Sequence, residues 1–245
     1  MARFVGTALC GGVAAALLTP AAFAQADRVS GTEKGSLLIF SKIEIRWDAT
    51  GQVIQDTFVD LTNDLGQDVD VNMYFVNGDA PLEADGAERA HPGWNWVDVK
   101  RPWTANQPAY WSALTGQPGP GQGAVAPFTI LDPSGDPLAQ GRPANDETND
   151  RVLRGFIVAF AVDEDCCPIV WNHLKGDVTI VNYMKSTAWE YNAWAFQSGA
   201  NYSNADAGDS LGTCGELVLD GRNYLAPYSL LLLDFYAPNS TAFSN

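Results

Sequence analysis

Trp94, Trp96, Trp103, Tyr110 and Trp111 crowd into one stretch of a chain that holds eight tryptophans in all. Flat rings of this kind stack on the apolar faces of sugars or anchor protein partners, so these five are the candidate ligand-binding residues. The competing reading is structural. Trp94 and Trp96 share one face of a strand by their spacing, and large aromatic side chains more often build a core than a binding surface.

Oxygen donors offer a second chemistry. Asn204, Asp206 and Asp209 alternate around Gly208, an arrangement suited to a hard cation, and structural calcium is the only cofactor the residue pattern suggests. The run lacks the twelve-residue loop closed by glutamate, and an acidic turn facing water explains it equally well. Asp132 to Asp136, Asp146 to Asp150 and Asp163 to Asp165 are similar acidic loops. The two histidines, His91 and His173, each lie close to a Trp-Asn pair and could meet on a metal with Glu88 or Glu190. Single histidines beside aromatic rings are more commonly packed. No Gly-x-Ser-x-Gly elbow supports a serine triad, and with 29 acidic residues a carboxylate pair is present by abundance alone. No catalytic residue is singled out.

Residues 1–24 read as a signal peptide: a basic Met1-Ala2-Arg3 start, an apolar run from Phe4 to Leu18, and small residues at Ala22 and Ala24 ahead of a cut before Gln25. Leu9 before Cys10 is too large for a lipid-attachment site. In an oxidising compartment Cys214 is expected to form a disulfide with Cys166 or Cys167, the partner left open, while the other thiol stays free or links chains. His173 beyond Cys167 matches no zinc spacing.

The remaining 25–245 suit one domain, since no linker separates two complete patterns and no repeat recurs. The formal net charge of −15 repels phosphate backbones and anionic membranes, so nucleic acid is excluded as a partner. After the signal peptide no apolar run is long enough to span a membrane.

Strand periodicity supplies the frame that must position these groups. Ile43, Ile45 and Trp47 alternate with Lys42, Glu44 and Arg46; Val69, Val71, Met73 and Phe75 alternate with Asp68, Asp70, Asn72 and Tyr74. With Val53 to Leu61 between them and turns at Asp48 to Gly51 and Thr62 to Gly66, these runs predict a three-strand antiparallel meander. About residues 80–149 form a proline-rich insertion of long loops, with short strands at Trp94 to Val99, Ala109 to Leu114 and Pro127 to Leu131. Leu153 to Val162 is apolar throughout and predicts a strand buried on both faces. Ile169 to Trp171, Asp177 to Tyr183, Trp189 to Phe196, Glu216 to Leu219 and Ser229 to Tyr236 follow, and only Asn145 to Val152 hints at a helical turn. The expected fold is all-β: a single antiparallel β-sandwich, immunoglobulin-like or jelly-roll-like, with very little helix.

The run Leu61-Thr62-Asn63-Asp64 with Val69 to Phe75 resembles a strand–turn–strand unit of immunoglobulin-like modules in exported bacterial proteins. It covers one hairpin and implies architecture without an activity. The functional expectation is a secreted, extracellular or periplasmic, non-enzymatic protein that binds carbohydrate or protein. The alternatives are a polysaccharide hydrolase with a carboxylate pair in the loop-rich segment, and a self-associating subunit of an extracellular assembly.

Overall fold

Period-two alternation becomes strand wherever it is densest. The structure, a computed structural model, describes residues 34–77, 96–115, 142–143, 150–198, 206–212 and 214–226, with the backbone alone at 77, 96–97 and 142–143. Ten strands follow in order: β1 (Leu37–Trp47), β2 (Val53–Asn63), β3 (Val69–Asn77), β4 (Trp96–Trp103), β5 (Pro108–Ser112), β6 (Arg142–Pro143), β7 (Arg151–Val162), β8 (Leu174–Asn182), β9 (Thr187–Asn192) and β10 (Trp194–Phe196). All their pairings are antiparallel, and no helix occurs among the described residues, as the all-β reading requires. Arg151 and Val152, the described end of the helical hint, open β7 instead.

The strands form one network in the order β4-β3-β7-β1-β2-β8-β9, with β10 on β1, β5 on β2 and β6 on β7. β1 and β2 pair only at Arg46–Gln55 and Trp47–Val53, beside the turn that joins them. Beyond it they part: β1 continues with β7 and β10, and β2 with β8 and β5. Leu38, Phe40, Ile43 and Ile45 of β1 and Met73, Phe75, Ile157 and Ala159 of β3 and β7 then share one buried cluster with Val59, Leu61, Val178 and Ile180 of β2 and β8. The network is thus folded over its own apolar face, in the manner of a sandwich.

One expectation is corrected. β2 and β3 do not pair: β2 bonds β8 and β5, and β3 bonds β7 and β4. The Thr62 to Gly66 turn therefore crosses between the two arms, and neither the meander nor the hairpin of the immunoglobulin-like resemblance exists. The cause lies in β7. Its Ile157, Ala159 and Ala161 enter the main core while Phe160 and Val162 enter a second cluster on the other face. A strand apolar on both faces belongs between covered neighbours, so β7 takes the place beside both β1 and β3.

The second cluster explains what covers that other face. Leu211 and Tyr224, with Leu217 and Leu219 against them, pack on Leu37, Phe160, Val162, Val170 and Phe196. Residues 206–212 and 214–226 thereby lie as a strap across the outer surface of β1, β7 and β10. Neither Ile169 to Trp171 nor Glu216 to Leu219 forms a strand. Ile169 makes only an isolated bridge to Ser210, and the polar Glu216 leaves Leu217 and Leu219 free to pack by side chain alone. Pro127 to Leu131 and Ser229 to Tyr236 lie outside the described residues.

Candidate functional site

Two of the five candidate aromatic residues are core. Trp103 and Trp111 meet edge to face at 6.5 Å within the main cluster, and the Trp103 indole donates to the Leu61 carbonyl at 3.1 Å. Rings so enclosed present no face to a ligand. Trp96 lies in β4, where the backbone alone is described, and Trp94 lies outside the described residues. Tyr110 is different: it is 54% exposed. Its neighbour Trp111 opposes Val59 on the inner face, so alternation along β5 turns Tyr110 outward.

Tyr110 opens a row across the outer face of one arm. It stands opposite Asp60 on β2, Asp60 stands opposite Asp177 on β8, and Asp177 stands opposite Asn192 on β9. The adjoining row runs Ser112, Phe58, Thr179 and Glu190. The result is one exposed ring beside three carboxylates on a strand surface. Partial burial raises the Asp60 carboxyl above its ordinary value against the Thr62 hydroxyl at 3.1 Å and the charge of Lys175. Burial, then the charges of Asp60 and Glu190, raise Asp177, again opposed by Lys175. Like charges directly across a ladder repel, and Lys175, two residues before Asp177, offsets only part of this. Sequence periodicity alone gave no sign of this row, because it joins β5, β2 and β8, which are remote in the chain.

A buried carboxylate closes one side of this face. Asp56 accepts from the Ser112 hydroxyl at 2.5 Å, from the Thr57 amide at 2.7 Å and from the Leu114 amide at 3.2 Å. Burial raises its pKa more than these donors lower it. Its evident work is to fasten the end of β5 to β2.

The remaining candidates separate by position. Asn204 lies outside the described residues; Asp206 and Asp209 are exposed and close a turn on each other, the Asp206 amide donating to the Asp209 carboxylate at 2.9 Å and the Asp209 amide to the Asp206 carbonyl at 3.1 Å. Three metal-ligating side chains do not gather anywhere among the described residues. His91 and Glu88 lie outside them. His173 pairs through Nδ1 with Asp64 at 3.0 Å, and Asp64 also takes the Lys34 ammonium. Burial and the Lys34 charge lower the His173 pKa from its ordinary value. Nearby Ser36 is no nucleophile for it: the buried hydroxyl accepts from the Trp171 and Asn172 amides at 2.6 and 2.9 Å and is further bonded to Asn172 and Ser198.

The cysteines resolve the alternative left open by the sequence. Cys167 is bonded to Cys214, and Cys166 carries an exposed free thiol. The exported-protein reading of residues 1–24 and the cut before Gln25 fall outside the described residues. Comparison with protein-family models, with curated proteins and with solved structures finds no match to this chain.

Proposed function

We propose that this is an exported, non-enzymatic binding protein whose ligand is a neutral carbohydrate, taken on the outer face of β5, β2, β8 and β9. The observation that carries the reading is the cross-strand row of Tyr110, Asp60 and Asp177. A tyrosine ring stacks on the C–H face of a pyranose, and carboxylates flanking it accept hydrogen bonds from the hydroxyls at the sugar's rim. The net charge of −15 favours an uncharged ligand over an acidic one. Export is supported by the leader-like residues 1–24 and by the Cys167–Cys214 disulfide, which suits an oxidising compartment.

Titration calorimetry against neutral polysaccharides tests the ligand class. Tyr110→Ala is expected to weaken binding by about tenfold to a hundredfold, in line with one stacked ring. Absence of binding to every neutral polysaccharide by the unaltered protein overturns the reading. A second reading, polysaccharide hydrolysis, draws on one observation: Asp60 and Asp177 face each other with both pKa values raised, as in carboxylate pairs that share acid and base roles. Release of reducing ends, lost in Asp177→Asn, would favour it. Mass spectrometry of secreted protein is expected to find Gln25 at the N-terminus, and intact Met1 in that fraction would remove the export argument.

A further inference from the structure

Cys166 and Cys167 occupy a turn rather than a strand. The Cys166 amide donates to the Asp163 carbonyl at 3.2 Å, the Asp163 amide donates to the Cys167 carbonyl at 3.0 Å, and the Asp163 side chain accepts from the Asp165 and Cys167 amides. The turn is fixed from the other side by Lys100, which donates to the Asp163 and Glu164 carbonyls at 2.9 and 3.0 Å, pairs with Asp70 at 3.0 Å and also interacts with the Cys166 side chain. Cys166 itself sits at φ 64°, in the left-handed region that a residue with a Cβ rarely enters. An exposed thiol is thus held, in a strained backbone position, one residue from a disulfide that clasps the strap of residues 206–226.

We propose that this disulfide slides by one residue: Cys166 and Cys167 are alternative partners for Cys214, and thiol–disulfide exchange moves the strap between two attachment points. The Cys166 thiol releases its proton to solvent, and its thiolate attacks Sγ of Cys214. The Cys166–Cys214 bond forms, the Cys167–Cys214 bond breaks, and Cys167 leaves as a thiolate that takes up a proton. Nothing is oxidised or reduced overall, so the step needs no external reagent.

Disulfide geometry decides between the two exchanges that are chemically open. The existing bond spans 47 residues, and its successor would span one more, so both constrain the unfolded chain alike. Attack on Cys167 instead would give a Cys166–Cys167 bond between Cα atoms about 3.8 Å apart across one trans peptide, closer than a relaxed disulfide spans. Sliding also exchanges an exposed free thiol for one that is 8% exposed. On the side of the strap that precedes Cys214, the Gly208 and Leu211 amides donate to the Val170 and Pro168 carbonyls at 2.8 and 3.1 Å.

The test equilibrates the full chain without reductant at pH 6 and at pH 8.5, traps thiols with N-ethylmaleimide in acid, and locates the label by fragmentation mass spectrometry. Cys214 is expected to remain bonded throughout, with Cys167 carrying about a tenth of the label or more after equilibration, as for two states within about 1.4 kcal/mol. Cys166→Ser is expected to show no label at Cys167, and Cys167→Ser to form the Cys166–Cys214 bond and leave neither of these two cysteines labelled. Label on Cys166 but on neither Cys167 nor Cys214 at both pH values, or labelled Cys214 beside a Cys166–Cys167 bond, overturns the proposal. The unaltered chain decides the matter even if Cys167→Ser does not fold.

Discussion

The Tyr191 hydroxyl serves both backbone groups of Lys42, accepting from its amide at 2.9 Å and donating to its carbonyl at 2.6 Å. Lys42 stands in β1 where the register with β7 slips between Phe40 and Ile43. That slip lets Leu38 and Phe40 before it and Ile43 and Ile45 after it all reach the main core. It also leaves backbone groups that a ladder would have satisfied, and the buried ring from β9 takes their place. Thr57 does the same for Glu44, whose amide and carbonyl bond its hydroxyl at 3.0 and 2.8 Å. Two side-chain hydroxyls thus replace the ladder where β2 peels away from β1.

Tyr191→Phe is expected to cost about 1–3 kcal/mol, because it removes two hydrogen bonds to the Lys42 backbone while keeping the ring. Denaturant unfolding with both proteins measures it. Hydrogen exchange at the Lys42 amide should quicken; an unchanged midpoint and unchanged protection would show that water replaces the hydroxyl without loss.

Gly176 is required by Phe40. A Cβ built on Gly176 would lie 2.4 Å from Cζ of Phe40 and 3.0 Å from the Asp60 carbonyl oxygen. Gly176→Ala should therefore destabilise by about 1–3 kcal/mol. The combination with Phe40→Leu, which removes the opposing ring edge, should cost less than the two changes added separately. Strict additivity in thermal or chemical unfolding would sink this account.

Asp177 and Glu44 should respond to pH with opposite signs. Burial, Asp60 and Glu190 raise the Asp177 pKa in the folded state, so its contribution to stability is lost as pH rises from the ordinary value of 3.8 through the folded value. Asp177→Asn is expected to stabilise by a few tenths of a kcal/mol to about 1 kcal/mol at pH 7 and by less at pH 4. A destabilised variant at pH 7 would mean that the carboxylate holds a partner.

Burial would raise Glu44, but the Arg46 hydrogen bond at 2.6 Å, the charges of Lys42 and Arg46 and the Gln55 amide at 2.8 Å outweigh it and lower its pKa. Its contribution is present above the ordinary value of 4.5 and is lost as pH falls through the folded value. Glu44→Gln should cost about 1–3 kcal/mol at pH 7, with the difference shrinking in acid. A pH-independent difference in unfolding midpoints would refute this assignment.

The strands were legible because period-two alternation is local. β1 and β3 each carry it, and the continuous apolar run of β7 announced burial on both faces. The turn at Asp48 to Gly51 was also legible: the Asp48 carboxylate accepts from the Thr50 and Gln52 amides, and Gly51 lies at φ 85°. Pairing partners were not legible, since nothing in Val53 to Asn63 says that Leu174 to Asn182 will lie beside it. The same limit hid the Tyr110, Asp60 and Asp177 row. Tyr110 and Trp111 could have been separated earlier, because neighbours in a strand face opposite ways and only one of the two rings could be outside. The disulfide pairing needed the Asp163 to Cys167 turn, whose geometry the spacing of the cysteines does not encode.

The position of β1 also bears on the order of assembly. Leu37 pairs with Phe160 on one side and Phe196 on the other, so both neighbours of its first half come from far down the chain. A ribosome delivering this chain from its N-terminus exposes Leu38, Phe40 and Ile45 long before anything exists to receive them. β3 can pair early with β4, but that does not relieve the wait, since β1 finds its long partnership in β7. Such dependence on distant contacts places refolding in the slow range for single domains, on the order of milliseconds to seconds, with the N-terminal strands prone to self-association until β7 arrives.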